Sequence, residues 1–137
     1  MKTKVRLEGF TLTVKDVKRS IDFYTKKLGF SCEWNAAPHF AMLRMGGAQG
    51  GTVGLLAWSE AKKEGVIPTT AKQNRAIHVE LSTDHLDSLY KDLLAKGVIF
   101  HAPPHDEPWE RSATAFDPDG YSVEFAQGRR GKNKPRK

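Results

Sequence analysis

Residues 75–100 read RAIHVELSTDHLDSLYKDLLAKGVIF, and two hydrophobic periods meet inside them. Ile77, Val79 and Leu81 alternate with His78, Glu80 and Ser82, the period of two expected of a half-buried strand. From 84 to 97 the spacing changes, and Leu86, Leu89, Tyr90, Leu93 and Leu94 fall on one face of a helix. Three short runs rich in strand formers follow, VIFHA, WERSATAF and YSVEFA. In the last of these Tyr121, Val123 and Phe125 keep an apolar face while Ser122, Glu124 and Ala126 point to the other side.

The same order stands earlier in the chain. A shift of 69 positions lays Val17 on Leu86, Ile21 on Tyr90 and the strand GFTLTV on HVELST, the kind of self-similarity that marks a duplicated unit. A strand is predicted over 6–14. Asp16 offers a helix cap, Val17, Ile21, Tyr24 and Leu28 recur at helical spacing, and Gly29 closes that helix. FSCEWN, HFAMLRM and GTVGLLAW then read as three strands separated by Ala/Pro or Gly-rich turns. Each half is therefore βαβββ. The expected boundaries are 5–58 for the first module, 59–74 for a polar connector containing Pro68, 75–127 for the second module and 128–137 for a tail. That connector is long for an inert loop and stands where it can border a site.

Length and charge limit what the chain can be. At 137 residues it builds one compact domain, or two half-size modules sharing one. No apolar run approaches a membrane span, and MKTKVRLEG lacks the apolar segment of a signal peptide, so a soluble, cytoplasmic protein is expected. The single cysteine, Cys32, has no partner for an internal disulfide. The net charge of +6 lies in GRRGKNKPRK. Removing its six basic residues from the 22 Lys and Arg leaves 16, matching the 16 Asp and Glu. Such a tail is expected to be disordered. Weak contact with nucleic acid through it is open, but a solvated end is the simpler reading. MGGAQGG lacks the Lys-Ser/Thr of a phosphate loop and reads as a hairpin turn. No serine, histidine and acid triad is signalled.

SIDFYTKKLGF (20–30) and FDPDGYSVEF (116–125), set in two βαβββ modules, resemble the vicinal oxygen chelate family, which includes glyoxalase I, bleomycin-resistance proteins and extradiol dioxygenases. The resemblance spans residues 5–127. It implies an α+β fold whose two modules form a curved mixed-sheet cup, and a homodimer. In metal-dependent members the first and last strands of each module give one ligand apiece. Carried over, the second module offers His78 and Glu124, while the first has Gly9 and Gly54 at the matching places. The internal repeat gives the same correspondence, since offset 69 takes Gly9 to His78 and offset 70 takes Gly54 to Glu124.

Two functions are carried forward. The first is sequestration of a small molecule or antibiotic, as in bleomycin-resistance proteins, without a cofactor. Gly9, Gly54, Leu56, Trp58, Glu80 and Trp109 would line its groove, the two glycines clearing the floor and Trp58 and Leu56 sharing the face of Gly54. Trp109 stands in DEPWERSATAF, which resembles a segment of bleomycin-resistance proteins. A neutral body argues against the strongly cationic bleomycin itself. The second is a glyoxalase-like lyase, isomerase or dioxygenase, with His78 and Glu124 holding one divalent ion of Zn, Ni, Mn or Fe. Two ligands are too few, so Glu80 or His39 would have to add a third. Otherwise His78 and Glu124 are a hydrogen-bonded polar pair or a metal-free acid/base pair. His85, His101 and His105 are read as a helix residue and two loop residues outside the site.

Overall fold

Alternation in the first half builds a four-stranded sheet from β1 (Gly9–Val14), β2 (Ser31–Ala36), β3 (Phe40–Arg44) and β4 (Thr52–Ala57), ordered β1-β4-β3-β2. β1 and β4 run parallel, with Gly9 opposite Thr52 and Thr11 opposite Gly54; the other pairs are antiparallel. Joining two parallel strands requires a crossover. Helix α1 (Val17–Asp22) begins it, with the Asp16 carboxylate accepting from the Arg19 N–H at 3.1 Å. The chain as described in this computed structural model covers residues 4–128. Past Gly128, the predicted basic tail lies outside the described residues.

The periodic run 17–29 predicts one α-helix, but the coil widens to a π turn over Phe23–Lys27. This lets the adjacent Phe23 and Tyr24 both be buried. Tyr24 meets Phe23 and Phe30 edge-on, with centroids 5.2 and 5.4 Å apart. That geometry explains the Phe-Tyr and Leu-Gly-Phe spacing: Gly29, at φ 87°, turns the chain so that Phe30 returns to the ring cluster. Leu12, Val14, Leu43 and Leu55 complete this core from the sheet. Two further expectations are corrected. β1 starts at Gly9 rather than residue 6, leaving Val5 and Leu7 exposed. β4 stops at Ala57, and Trp58 opens the short helix α2 (Trp58–Ala61) instead of ending the strand.

The chain divides into two compact units between Pro68 and Thr69. In the second, α3 (Ala71–Asn74) is closed by a reciprocal cap in which Thr70 and Gln73 bond each other's backbone. There follow β5 (His78–Ser82), α4 (Leu86–Ala95), β6 (Ile99–Phe100), β7 (His105–Glu107), β8 (Glu110–Phe116) and β9 (Ser122–Gln127), ordered β5-β9-β8-β6 with β7 also pairing β8. His105 is thus not a loop residue. It opens β7 opposite Ser112, a strand too short to show in periodicity. α4 packs on β8 and β9, burying Leu86 and Leu93 with Val123, Phe125 and Ala115. The Asp117 carboxylate accepts from the N–H groups of Asp119 and Tyr121 at 2.8 and 2.9 Å. Gly120 takes φ 88°, so Asp-Pro-Asp-Gly is a self-bonded turn that aims the chain into β9. The architecture is α+β, with one mixed sheet in each unit.

Candidate functional site

Strand register decides which side chains meet. β5 and β9 are parallel, with His78 opposite Ser122, Glu80 opposite Glu124 and Ser82 opposite Ala126. β8 adds Phe116 beside Ser122, Thr114 beside Glu124 and Ser112 beside Ala126. The intervening positions, Val123, Phe125, Ala113 and Ala115, form the face under α4. The opposite, open face thus carries three rows, and the first two bring His78, Glu80 and Glu124 together. One donor atom from each lies within 4.8 Å of the other two. His78 and Glu80 are exposed and Glu124 is half-buried.

This donor set suits a divalent cation. Protein donors at about 2.0–2.2 Å from an ion sit roughly 3 to 4 Å apart from one another, so small rotations of exposed side chains close the observed spread. Two hard carboxylates and one borderline imidazole match Mn, Fe, Ni or Zn. Three protein donors also leave coordination positions for water or a ligand.

The equivalent face of the first unit has another chemistry. Gly9, Thr11 and Thr13 on β1 and Thr52, Gly54 and Leu56 on β4 occupy the registers of His78, Glu80, Ser82, Ser122, Glu124 and Ala126. Phe40 and Met42 stand beside Leu56 and Gly54. The space over Gly54 is not open: a Cβ there would lie 2.7 Å from Thr11 Oγ1 and 3.3 Å from the Phe40 ring. Trp34, 62% exposed, meets Phe40 edge-on at 6.1 Å. A β-bulge between Cys32 and Trp34 puts Trp34 opposite Met42, whereas Cys32 lies opposite Leu43. The bulge thereby turns an indole onto the open face. Arg44, on that face, donates to Glu33 at 2.7 Å and holds its carboxylate below the usual range.

The glyoxalase/bleomycin resistance protein/dioxygenase superfamily model matches residues 6–125. This chain belongs to that superfamily. A glyoxalase/bleomycin resistance protein/dioxygenase from Nocardioides is 25% identical, with a TM-score of 0.74 over 99% of this chain and 91% of that one. A superfamily member from Sphaerobacter thermophilus is 24% identical, with a TM-score of 0.70 over 90% and 98%. TnmS3, an antibiotic binding protein from Streptomyces sp. CB03234, is 23% identical, with a TM-score of 0.69 over 93% and 98%. No curated protein matches the chain. Among the described residues, no helix is long and apolar enough to cross a membrane.

Other sequence candidates lie elsewhere on this superfamily scaffold. His39, one of the two substitutes for a third ligand, is in the first unit and pairs its Nδ1 with Glu60 Oε2 at 2.9 Å. Lys63 first and His39 second hold the Glu60 carboxyl below its ordinary range. Trp58 is half-buried at the start of α2. Trp109, 54% exposed, stands in the turn between β7 and β8. Near that hairpin a cleft is lined by Asp106, Glu107, Glu110, Arg111, Gln127 and Gly128; none of the three converging donors lines it. Arg111 joins Asp87 of α4 and Asp106 of β7 at 2.9 and 3.1 Å. Its hydrogen bond holds the Asp87 carboxyl below the usual range. His85 precedes the first turn of α4, and His101 lies edge-on to Phe116 at 6.4 Å. Trp34 and Arg75 escape the sequence reading: one depends on a bulge, the other on a contact with Phe116 of β8, made just before β5 begins at His78 rather than within the strand expected from residue 75.

Proposed function

We propose that this protein binds a small molecule through a divalent cation held by His78, Glu80 and Glu124 on its second unit. The observation that carries this reading is the convergence of three donors of the right chemistry within 4.8 Å on one open sheet face. Sequence correspondence alone supplied two ligands where a site needs three; Glu80 brings the count to three without help from the glycine-bearing first unit. When bound, the cation supplies Lewis acidity to adjacent oxygens of the ligand. The chain's part is to present two carboxylates and an imidazole, and to leave the outward positions free. The reaction class supported is that of glyoxalase-like lyases, isomerases or dioxygenases. Protein purified without chelator should carry close to one Mn, Fe, Ni or Zn per chain by elemental analysis, and added metal should raise its melting temperature. Metal-free protein indifferent to all four ions would reject the reading.

A second reading, cofactor-free sequestration of an antibiotic or other small molecule, is supported by the aromatic face of the first unit. Trp34, Phe40, Met42 and Leu56 there surround a Gly54 that replaces a ligand position, and TnmS3 is described as an antibiotic binding protein. Trp34 fluorescence quenched by ligand in the presence of chelator would favour it.

We further place the protein in the cytoplasm as a homodimer. Val5, Leu7 and Phe10, interleaved with Arg6 and Glu8, are 90%, 80% and 73% exposed, large apolar side chains available to an interaction surface. Among the described residues β1 pairs only β4, so its other edge offers backbone donors and acceptors to a second copy. Sedimentation equilibrium should give twice the 15.3 kDa chain mass; a monomer at micromolar concentration would refute the dimer.

A further inference from the structure

The open face of the second sheet also carries a cation. β8 contributes Phe116 to the row of His78 and Ser122, and the Arg75 guanidinium lies over its ring, with Cζ 4.6 Å from the centroid. Local bonding fixes the backbone that carries it. The Ser122 hydroxyl donates to the Arg75 carbonyl at 2.8 Å, and the Asn74 side chain donates to the Asp119 carbonyl at 2.9 Å. The segment leading into β5 is thus tied to the turn leading into β9. Arg44 and Arg111 are each neutralised by carboxylates, but among the described residues no carboxylate pairs with Arg75. Arg75 is exposed and its guanidinium lies over an aromatic ring, a placement suited to receiving a planar or tetrahedral anion through its N–H groups.

Geometry relates this cation to the donor cluster. Neighbouring strands lie about 4.8 Å apart, so Phe116 on β8 is one strand from Glu124 and two from His78. The guanidinium therefore sits roughly 7–10 Å from the point where the three donors converge. A divalent ion between two carboxylates and a neutral imidazole is formally neutral, so Arg75 leaves the face with a net positive charge. A ligand whose only anionic group is spent on the ion leaves the guanidinium without a carboxylate or phosphate in direct contact.

We infer that Arg75 is the anchor for an anionic group of the ligand, a carboxylate or phosphate, whose adjacent oxygens are held at His78, Glu80 and Glu124. This deepens the metal-dependent reading and rests on it. The ligand class is a small molecule with two neighbouring oxygens at one end and an anion a few bonds away. Phe116 positions the guanidinium and His101 flanks the ring edge.

The test uses the full chain loaded with Mn²⁺ and two simple 2-oxo acids. 2-Oxoglutarate and 2-oxobutyrate share the chelating end, and only the former has a distal carboxylate. Calorimetric titration should show 2-oxoglutarate binding about ten-fold tighter, the scale of one charge-assisted contact at an exposed site. Arg75→Gln should remove that preference without altering the affinity for 2-oxobutyrate. Phe116→Leu, which keeps the charge but removes its platform, should reduce the preference. Equal affinity of the two acids for the Mn²⁺-loaded unmodified protein would overturn the role of Arg75 while leaving the metal reading standing. So would an Arg75→Gln variant that weakens both acids alike. Failure of the protein to bind Mn²⁺ at all would overturn both.

Discussion

Replacing Glu124 by alanine should abolish stoichiometric binding of Mn²⁺ or Zn²⁺, and His78→Ala should do the same. Loss of a group that merely orients a ligand costs 10- to 100-fold in metal affinity, so loss of a donor should exceed roughly 100-fold. The informative variant is Glu80→Ala. If only the two family positions bound the ion, Glu80 would be a bystander and its loss would be felt weakly, through the field of one exposed charge. The register gives a different expectation. Glu80 and Glu124 are direct partners across a parallel strand pair, with donor atoms in the same cluster as His78. Glu80→Ala should therefore fall in the same range as Glu124→Ala, and Glu80→Gln should recover only a fraction. Titration followed by the electron paramagnetic resonance of free Mn²⁺ reads all four directly. A Glu80→Ala protein with undiminished affinity would reduce the centre to two ligands and remove the case for a site complete in one unit.

The duplicated pattern makes much of this legible in the sequence. Offsets 69 and 70 aligned Gly9 with His78 and Gly54 with Glu124, and the paired registers of β1 with β4 and β5 with β9 reproduce that alignment strand by strand. Alternation also assigned Glu80 to the side of His78, because a strand has only two faces. What resisted reading depended on departures from regular period. Simple alternation puts Trp34 and Cys32 on one face; the bulge between them separates the two, and nothing in FSCEWN announces it. The π turn at Phe23–Lys27 keeps enough of the helical spacing to pass for an α-helix. Arg75 becomes a site residue only through Phe116, about forty positions away in sequence, and the two are neighbours only once β8 and β9 have paired.

The second large effect concerns restoring what the first unit lacks. Gly9 stands where a histidine would complete a family ligand set, so Gly9→His is the obvious reconstruction, and it should fail. A Cβ on Gly9 would fall inside contact distance of the carbonyl oxygen and hydroxyl of Thr52, with the Thr52 carbonyl carbon at 2.9 Å. The obstruction includes backbone, so rotation of a side chain cannot relieve it. Thr52 is itself fixed: it is 8% exposed, and its hydroxyl donates to the Glu8 carbonyl at 2.6 Å. In the second unit the corresponding Ser122 hydroxyl reaches back to the Arg75 carbonyl instead, and His78 carries its imidazole there. Even Gly9→Ala should cost about 3 kcal/mol, the upper range for overpacking, and lower the melting temperature by roughly 10 °C. Gly54→Ala should cost about 1 kcal/mol, since the atoms it meets belong to the Thr11 and Phe40 side chains, which can give way. Thermal melts of the two alanine variants separate the cases. A Gly9→Ala protein as stable as the parent would mean that β1 shifts freely against β4. The contact instead makes glycine at position 9 a steric requirement of the first sheet.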